Sequence, residues 1–180
     1  MITLKIAFLI TGLALILGFS PLIFAADRYE KLLRSFPRSK LPAYILTALA
    51  LAWSVFAILD AHIEWIDASP GRIVVLAPIL YLMIVYSMSE LLAVRALGGI
   101  FMLAGRPLLS AAFPYETNVR LFVTVFAYVL VVFGMVLVWS PYMFRKLTDK
   151  LFKNKLRVSV TGWAMPVFGL VYILIGIFIF

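Results

Sequence analysis

Apolar positions fall in six blocks along this chain, separated by short polar connections. The blocks run from Ile6 to Phe24, Leu41 to Leu59, Ile73 to Ser89, Ala96 to Phe113, Leu121 to Trp139 and Val158 to Phe180. Within a block the apolar residues follow one another without the alternation of a barrel strand. Their lengths come near the roughly 20 residues a helix needs to cross a bilayer. The pattern predicts an all-α, polytopic transmembrane helical bundle of about six spans. Block four is the open case. Arg106-Pro107 interrupts it, and Gly98, Gly99 and Gly105 are expected to loosen it, so 96–113 reads either as a span or as a re-entrant segment.

Charge decides between the two. The connection from Ala25 to Lys40 holds Arg28, Lys31, Arg34, Arg38 and Lys40 against Asp27 and Glu30. The connection after block five holds Arg145, Lys146, Lys150, Lys153, Lys155 and Arg157 against Asp149. Positive connections stay in the cytoplasm. Both can do so only if block four spans, which puts both termini outside. The connection after block two carries Asp60, Glu64 and Asp67 against Arg72 and suits the external side. With 65% hydrophobic and 13% charged residues, the chain is no soluble domain. Its net charge of +8 sits in these connections. It therefore points to anionic lipid headgroups and not to nucleic acid. The first block also reads as a secretory signal peptide, with Lys5 as its basic region and Ala25–Ala26 near a cleavage site. Its thin basic region, and the heavier positive charge downstream, favour a retained span.

The chain reads as one membrane domain, 1–180, in three hairpins: 1–60, 73–113 and 121–180. Residues 1–24 and 121–144 align without gaps, matching Ser20-Pro21 with Ser140-Pro141. A parallel duplication and the general likeness of helical hairpins both account for this. In each unit Ser-Pro is expected to bend the chain out of the span, with the serine capping and the proline opening the next helix. A basic amphipathic helix along the inner leaflet follows. Tyr29, Leu32, Leu33 and Phe36 form the apolar side of the first; Phe144, Leu147, Leu151 and Leu156 form that of the second. Arg28, Lys31, Arg34, Lys146, Lys150 and Lys153 are the expected lipid-headgroup contacts. A docking surface for a cytosolic partner is the alternative use. The segments "GFSPLIFAADRYEKLLRSFPR" and "VWSPYMFRKLTDKLFKNKLRVSVTGWAMPVFGLVYILIG" resemble a family of short two-span bacterial inner-membrane proteins of unestablished role. Arg157, Gly162 and Gly169 carry the likeness in the second unit, whereas the first unit lacks the glycines. The resemblance implies a bacterial inner membrane.

Chemistry is sparse. There is no cysteine, and the single histidine, His62, stands among Asp60, Glu64 and Asp67 without the spacing of a metal site. No phosphate loop, zincin motif or nucleophile elbow occurs. No catalytic residue, cofactor or metal is expected. The candidate intramembrane polar residues are Glu90, Arg95 and Arg106, with Asp60 as a partner for Arg106 near the outer interface. Small residues mark packing faces: Gly162, Gly169 and Gly176 in block six, and Ala7, Thr11, Ala14 and Gly18 in block one. The expected function is a non-enzymatic accessory or scaffold subunit of a larger membrane assembly, contacting lipid and other membrane subunits or itself. The alternative is a small ion or solute transporter using Glu90, Arg95 and Arg106.

Overall fold

The computed structural model describes residues 3–61, 70–87 and 91–179, and among them the chain is helical with no strand. The elements are α1 (Leu4–Phe19), α2 (Pro21–Phe24), α3 (Ala26–Ser35), a 3-10 turn (Phe36–Arg38), α4 (Lys40–Leu59), α5 (Pro70–Ser87), α6 (Leu92–Ala112), α7 (Arg120–Trp139), α8 (Tyr142–Phe152) and α9 (Lys155–Phe178). Five segments are long and apolar enough to cross a membrane: Leu4–Phe24, α4, α6, α7 and α9. Helix α5 is apolar but shorter. Its 18 residues still reach about 27 Å at 1.5 Å per residue. His62, Glu64, Asp67 and Glu90 lie outside the described residues.

Block four is a continuous helix and the most thoroughly buried of the five. Pro107 lies inside it without ending it. Its glycines do not loosen it. A side chain on Gly98 would strike the Gly134 carbonyl at 2.7 Å, and one on Gly105 would strike Val131, so both are contact points against α7. The α6–α7 and α1–α9 interfaces are the most extensive in the molecule.

Directions follow from these contacts. Gly176, late in α9, lies against Phe8 and Lys5, early in α1, while Gly169 lies against Gly12, Leu15 and Ile16 further along α1, so the two helices are antiparallel. Helices α6 and α7 are antiparallel through Gly98 and Gly134. The start of α4, at Ala43, meets the start of α6 at Leu92 and Ala93 and the end of α5 at Ile84 and Val85. The ends of α4 and α6 meet through Arg106 and Asp60. Helix α5 therefore returns against α4, and α6 runs with α4. Among the described residues, α1, α4, α5, α6, α7 and α9 run along the bundle, and α3 and α8 meet at one end of it.

The main core lies at the opposite end. Leu4, Ala7 and Phe8 of α1 pack with Leu108, Ala111 and Ala112 of α6 and Val123 and Ala127 of α7. Tyr172 of α9 closes this cluster. Its ring lies 5.6 Å from Phe8 and 5.9 Å from Phe126, and its hydroxyl donates to the Phe122 carbonyl at 3.0 Å. Such aromatic stacking adds to plain area burial. The helices of hairpins 1–60 and 121–180 do not make their main contacts within their own unit. Helix α1 packs on α9, and α4 on α6.

The two Ser-Pro steps differ. Ser20 is helical (φ −57°, ψ −33°), α2 adds one turn after it, and the bend falls at Ala25 (φ −148°, ψ 49°). In the second unit the bend is at Ser140 itself (φ −128°, ψ 74°). Neither serine caps the following helix: no side-chain cap bond opens α2 or α8. In the second unit Pro141, lacking an N–H, follows directly on the bend, whereas in the first Pro21 opens a further turn and the bend comes only at Ala25. The side-chain cap in this region belongs to Asn154, whose Oδ1 accepts from the Leu156 N–H at 3.0 Å and opens α9.

Candidate functional site

The end of the bundle that carries α3 and α8 gathers most of the charge. Two segments over a hundred residues apart in sequence meet there. Arg34 Nη1 donates to Asp149 Oδ1 at 2.7 Å, and its Nε donates to Glu30 Oε1 at 2.8 Å. The hydrogen bond to Glu30, joined by the charge of Asp149, raises the Arg34 pKa above its ordinary value. One guanidinium thus uses its fork both for an i,i+4 pair within α3 and to join α3 to α8. Phe36 and Phe144 add a ring contact at 5.7 Å. Tyr29 ties α3 back to the end of α1, its hydroxyl donating to the Gly18 carbonyl at 2.6 Å. Burial raises the Tyr29 pKa, so it remains a donor through the physiological range.

Arg28, Lys31, Arg34, Lys146, Lys150 and Lys153, the expected headgroup contacts, are all exposed on this platform. Of the expected apolar sides, Leu33, Phe36, Phe144 and Leu151 are partly buried, while Leu32, Leu147 and Leu156 are exposed. Two clefts open here. The larger, about 350 Å³, lies between α2–α3 and α8–α9, with Leu22, Ile23, Asp27, Glu30, Lys155 and Trp163 among its walls. The smaller, about 200 Å³, lies between α3 with its 3-10 turn and α8, lined by Leu33, Arg34, Arg38, Arg145, Thr148 and Asp149.

Arg106 is at the other end of α6. Its Nη2 donates to Asp60 Oδ2 at 2.9 Å and its Nη1 to the Ala57 carbonyl at 2.9 Å. The expected Asp60 partner is present. What sequence reasoning missed is the second bond, to one of the last carbonyls of α4, which no intrahelical donor serves. A guanidinium there also meets the negative end of the helix dipole. Arg95 is partly buried near the start of α6. Eleven residues separate it from Arg106, about 16 Å along a helix, so the two do not form one site. Arg106→Ala is expected to lower stability in mild detergent by about 1 kcal/mol. Arg106→Lys should keep roughly half of that, since an ammonium replaces the charge but not the fork. Thermal unfolding of the two variants measures both.

The packing residues fall unevenly. Gly162, Gly169 and Gly176 are buried against α1 and α2. Gly18 has nothing within 4 Å of an added Cβ, and Ala14 is exposed. The face of α1 that meets its neighbours runs through Leu4, Ala7, Phe8, Thr11 and Gly12, all buried. Gly12 and Gly134, each facing a partner glycine, were not singled out by sequence reasoning. A lone glycine in an apolar run carries no signal of what lies opposite. Among the described residues no group of acids or histidines is placed to hold a metal ion. Comparison with protein-family models, with curated proteins and with solved structures finds no match for this chain.

Proposed function

We propose that this multi-pass membrane protein is a non-enzymatic scaffold or accessory subunit, residing in a bacterial inner membrane with its basic platform on the cytoplasmic face and both termini outside. The observation that carries this reading is how the charged side chains are used. Arg106 serves the end of α4, and Arg34 joins α3 to α8. Arg106, a group that a conduction path would draw on, is thereby engaged in holding α6 to α4. The outer helices are consistent with lateral assembly. Helix α5 makes its main contact with α4 alone, leaving Val74, Val75, Ile79 and Leu82 exposed to lipid or to a neighbouring subunit. The resemblance of the two Ser-Pro units to short inner-membrane proteins supports the location.

Purification in mild detergent tests the subunit reading. The chain is expected to run in a complex larger than its own 20.2 kDa in a micelle, with defined membrane partners or further copies of itself. A monomeric chain that conducts an ion in liposomes, and loses conduction in a folded Arg106→Ala variant, would replace this reading with a transporter.

A further inference from the structure

We propose that the smaller cleft, between the Phe36–Arg38 turn and α8, is a binding site for the phosphate group of an anionic inner-leaflet lipid. Three guanidinium groups, Arg34, Arg38 and Arg145, line it against one carboxylate, Asp149. Asp149 is already engaged by Arg34 Nη1, which neutralises the acid and fixes Arg34 in place. Among the described residues, neither Arg38 nor Arg145 meets a carboxylate. Two positive charges are left facing one concavity, held by a buried floor of Pro37 and Thr148. Two like charges on one concavity make it attractive to an anion. A phosphate suits them best, because guanidinium forks match its oxygens in pairs. The Thr148 hydroxyl donates to the Phe144 carbonyl at 2.9 Å, so its oxygen keeps lone pairs but no proton for the ligand. The arginines therefore supply the donors.

The size fits a headgroup. About 200 Å³ is roughly seven times a water's share of liquid volume, enough for a phosphate and the first carbons attached to it, not for acyl chains. The position fits a lipid: the cleft sits where α4 begins and α7 ends, the level at which headgroups would meet helices that span a bilayer. Arg38 and Arg145 were not among the residues first expected to meet headgroups. The six that were, apart from Arg34, lie outside this cleft and offer only diffuse attraction. The inner-leaflet assignment rests on the orientation proposed above, whereas the phosphate site itself does not.

Purified full-length protein in mild detergent, titrated with phosphatidic acid and separately with phosphatidylcholine, tests the site. Native mass spectrometry counts the lipids bound. One phosphatidic acid per chain is expected, held in preference to phosphatidylcholine. Arg38→Gln with Arg145→Gln should weaken it by about tenfold per arginine. Lys146→Gln with Lys153→Gln removes the same charge outside the cleft and should weaken it by less than about fivefold. Should the glutamine pair not fold, Arg38→Lys with Arg145→Lys keeps the charge, loses the forks and should still bind more weakly than wild type. Equal losses in the arginine and lysine pairs, or no preference for phosphatidic acid, would overturn the site. Inorganic phosphate binding as tightly as the lipid would overturn its assignment to lipid. Detergent solution has no sides, so a failure of the proposed orientation leaves this result readable.

Discussion

Gly169→Leu is expected to separate α9 from α1 and to be among the most destabilising single changes in the molecule. The closest contacts are with backbone, ahead of the Ile16 and Ile173 side chains. A Cβ on Gly169 would stand 2.6 Å from the Gly12 carbonyl oxygen, and one on Gly12 would stand 2.5 Å from the Gly169 carbonyl oxygen. Each glycine's carbonyl fills the space where the other's side chain would go. A rotamer change cannot relieve such a clash, so the helices must move apart and lose the contacts on either side. Gly169→Ala should already cost roughly 1–3 kcal/mol, the usual range for overpacking, and Gly169→Leu more. Gly18→Ala is the control. It lies in α1, meets nothing within 4 Å, and should be neutral or stabilise by about 0.5–1 kcal/mol through helix propensity. Thermal unfolding in mild detergent reads all three. Equal stability of Gly169→Leu and wild type would mean that α9 does not pack on α1 through this face.

The second large effect is expected at Gly98 and Gly134, where α6 crosses α7 in the same manner. A Cβ on Gly98 would lie 2.7 Å from the Gly134 carbonyl oxygen, and one on Gly134 would lie 2.6 Å from that of Gly98. This is one of the two most extensive helix contacts, and α6 also carries the contact to α4. A forced shift therefore strains two interfaces. Gly98→Ala and Gly134→Ala should each cost roughly 1–3 kcal/mol. Their combination should cost less than the total of the two, because helices already pushed apart by one methyl accommodate the second. Gly99→Ala, one residue along the same helix, meets only the Ala50 Cβ at 4.0 Å and should be tolerated. The pair separates crowding from helix propensity, which is the same at both positions.

These glycines also show what a single sequence reveals about this fold. Block lengths and the placement of charge are local properties, so the helical class and the run of membrane-length helices were legible. Block four was legible only through charge parity. Locally, Arg106-Pro107 and three glycines argue against a span, yet Pro107 is accommodated within α6 and Gly98 and Gly105 serve its contact with α7. Partner choice was not legible. The hairpin reading pairs neighbours in sequence, whereas α1 packs on α9 across the length of the chain, as the Gly12–Gly169 crossing permits. At the sites, Arg106 and Asp60 could be matched because Arg106 is the one charge late in block four and Asp60 is the acid that directly ends block two near the same interface. Arg34 and Asp149 could not, since each stands among several charges and only the meeting of α3 with α8 selects them.

The central claim is that the two basic connections share one cytoplasmic face. Because the chain has no cysteine, single cysteines report their own position. The direct measurement is labelling of intact cells by an impermeant thiol reagent at Ser35, Asn154, Ala61 and Thr117, one substitution at a time. Positions 35 and 154 adjoin the platform, while 61 and 117 lie in the connections at the opposite end. The account predicts that cysteines at 61 and 117 are labelled, and that those at 35 and 154 are labelled only after the membrane is opened. Labelling of 154 but not 35 in intact cells would contradict it, because the platform joined by Arg34 and Asp149 could not then exist.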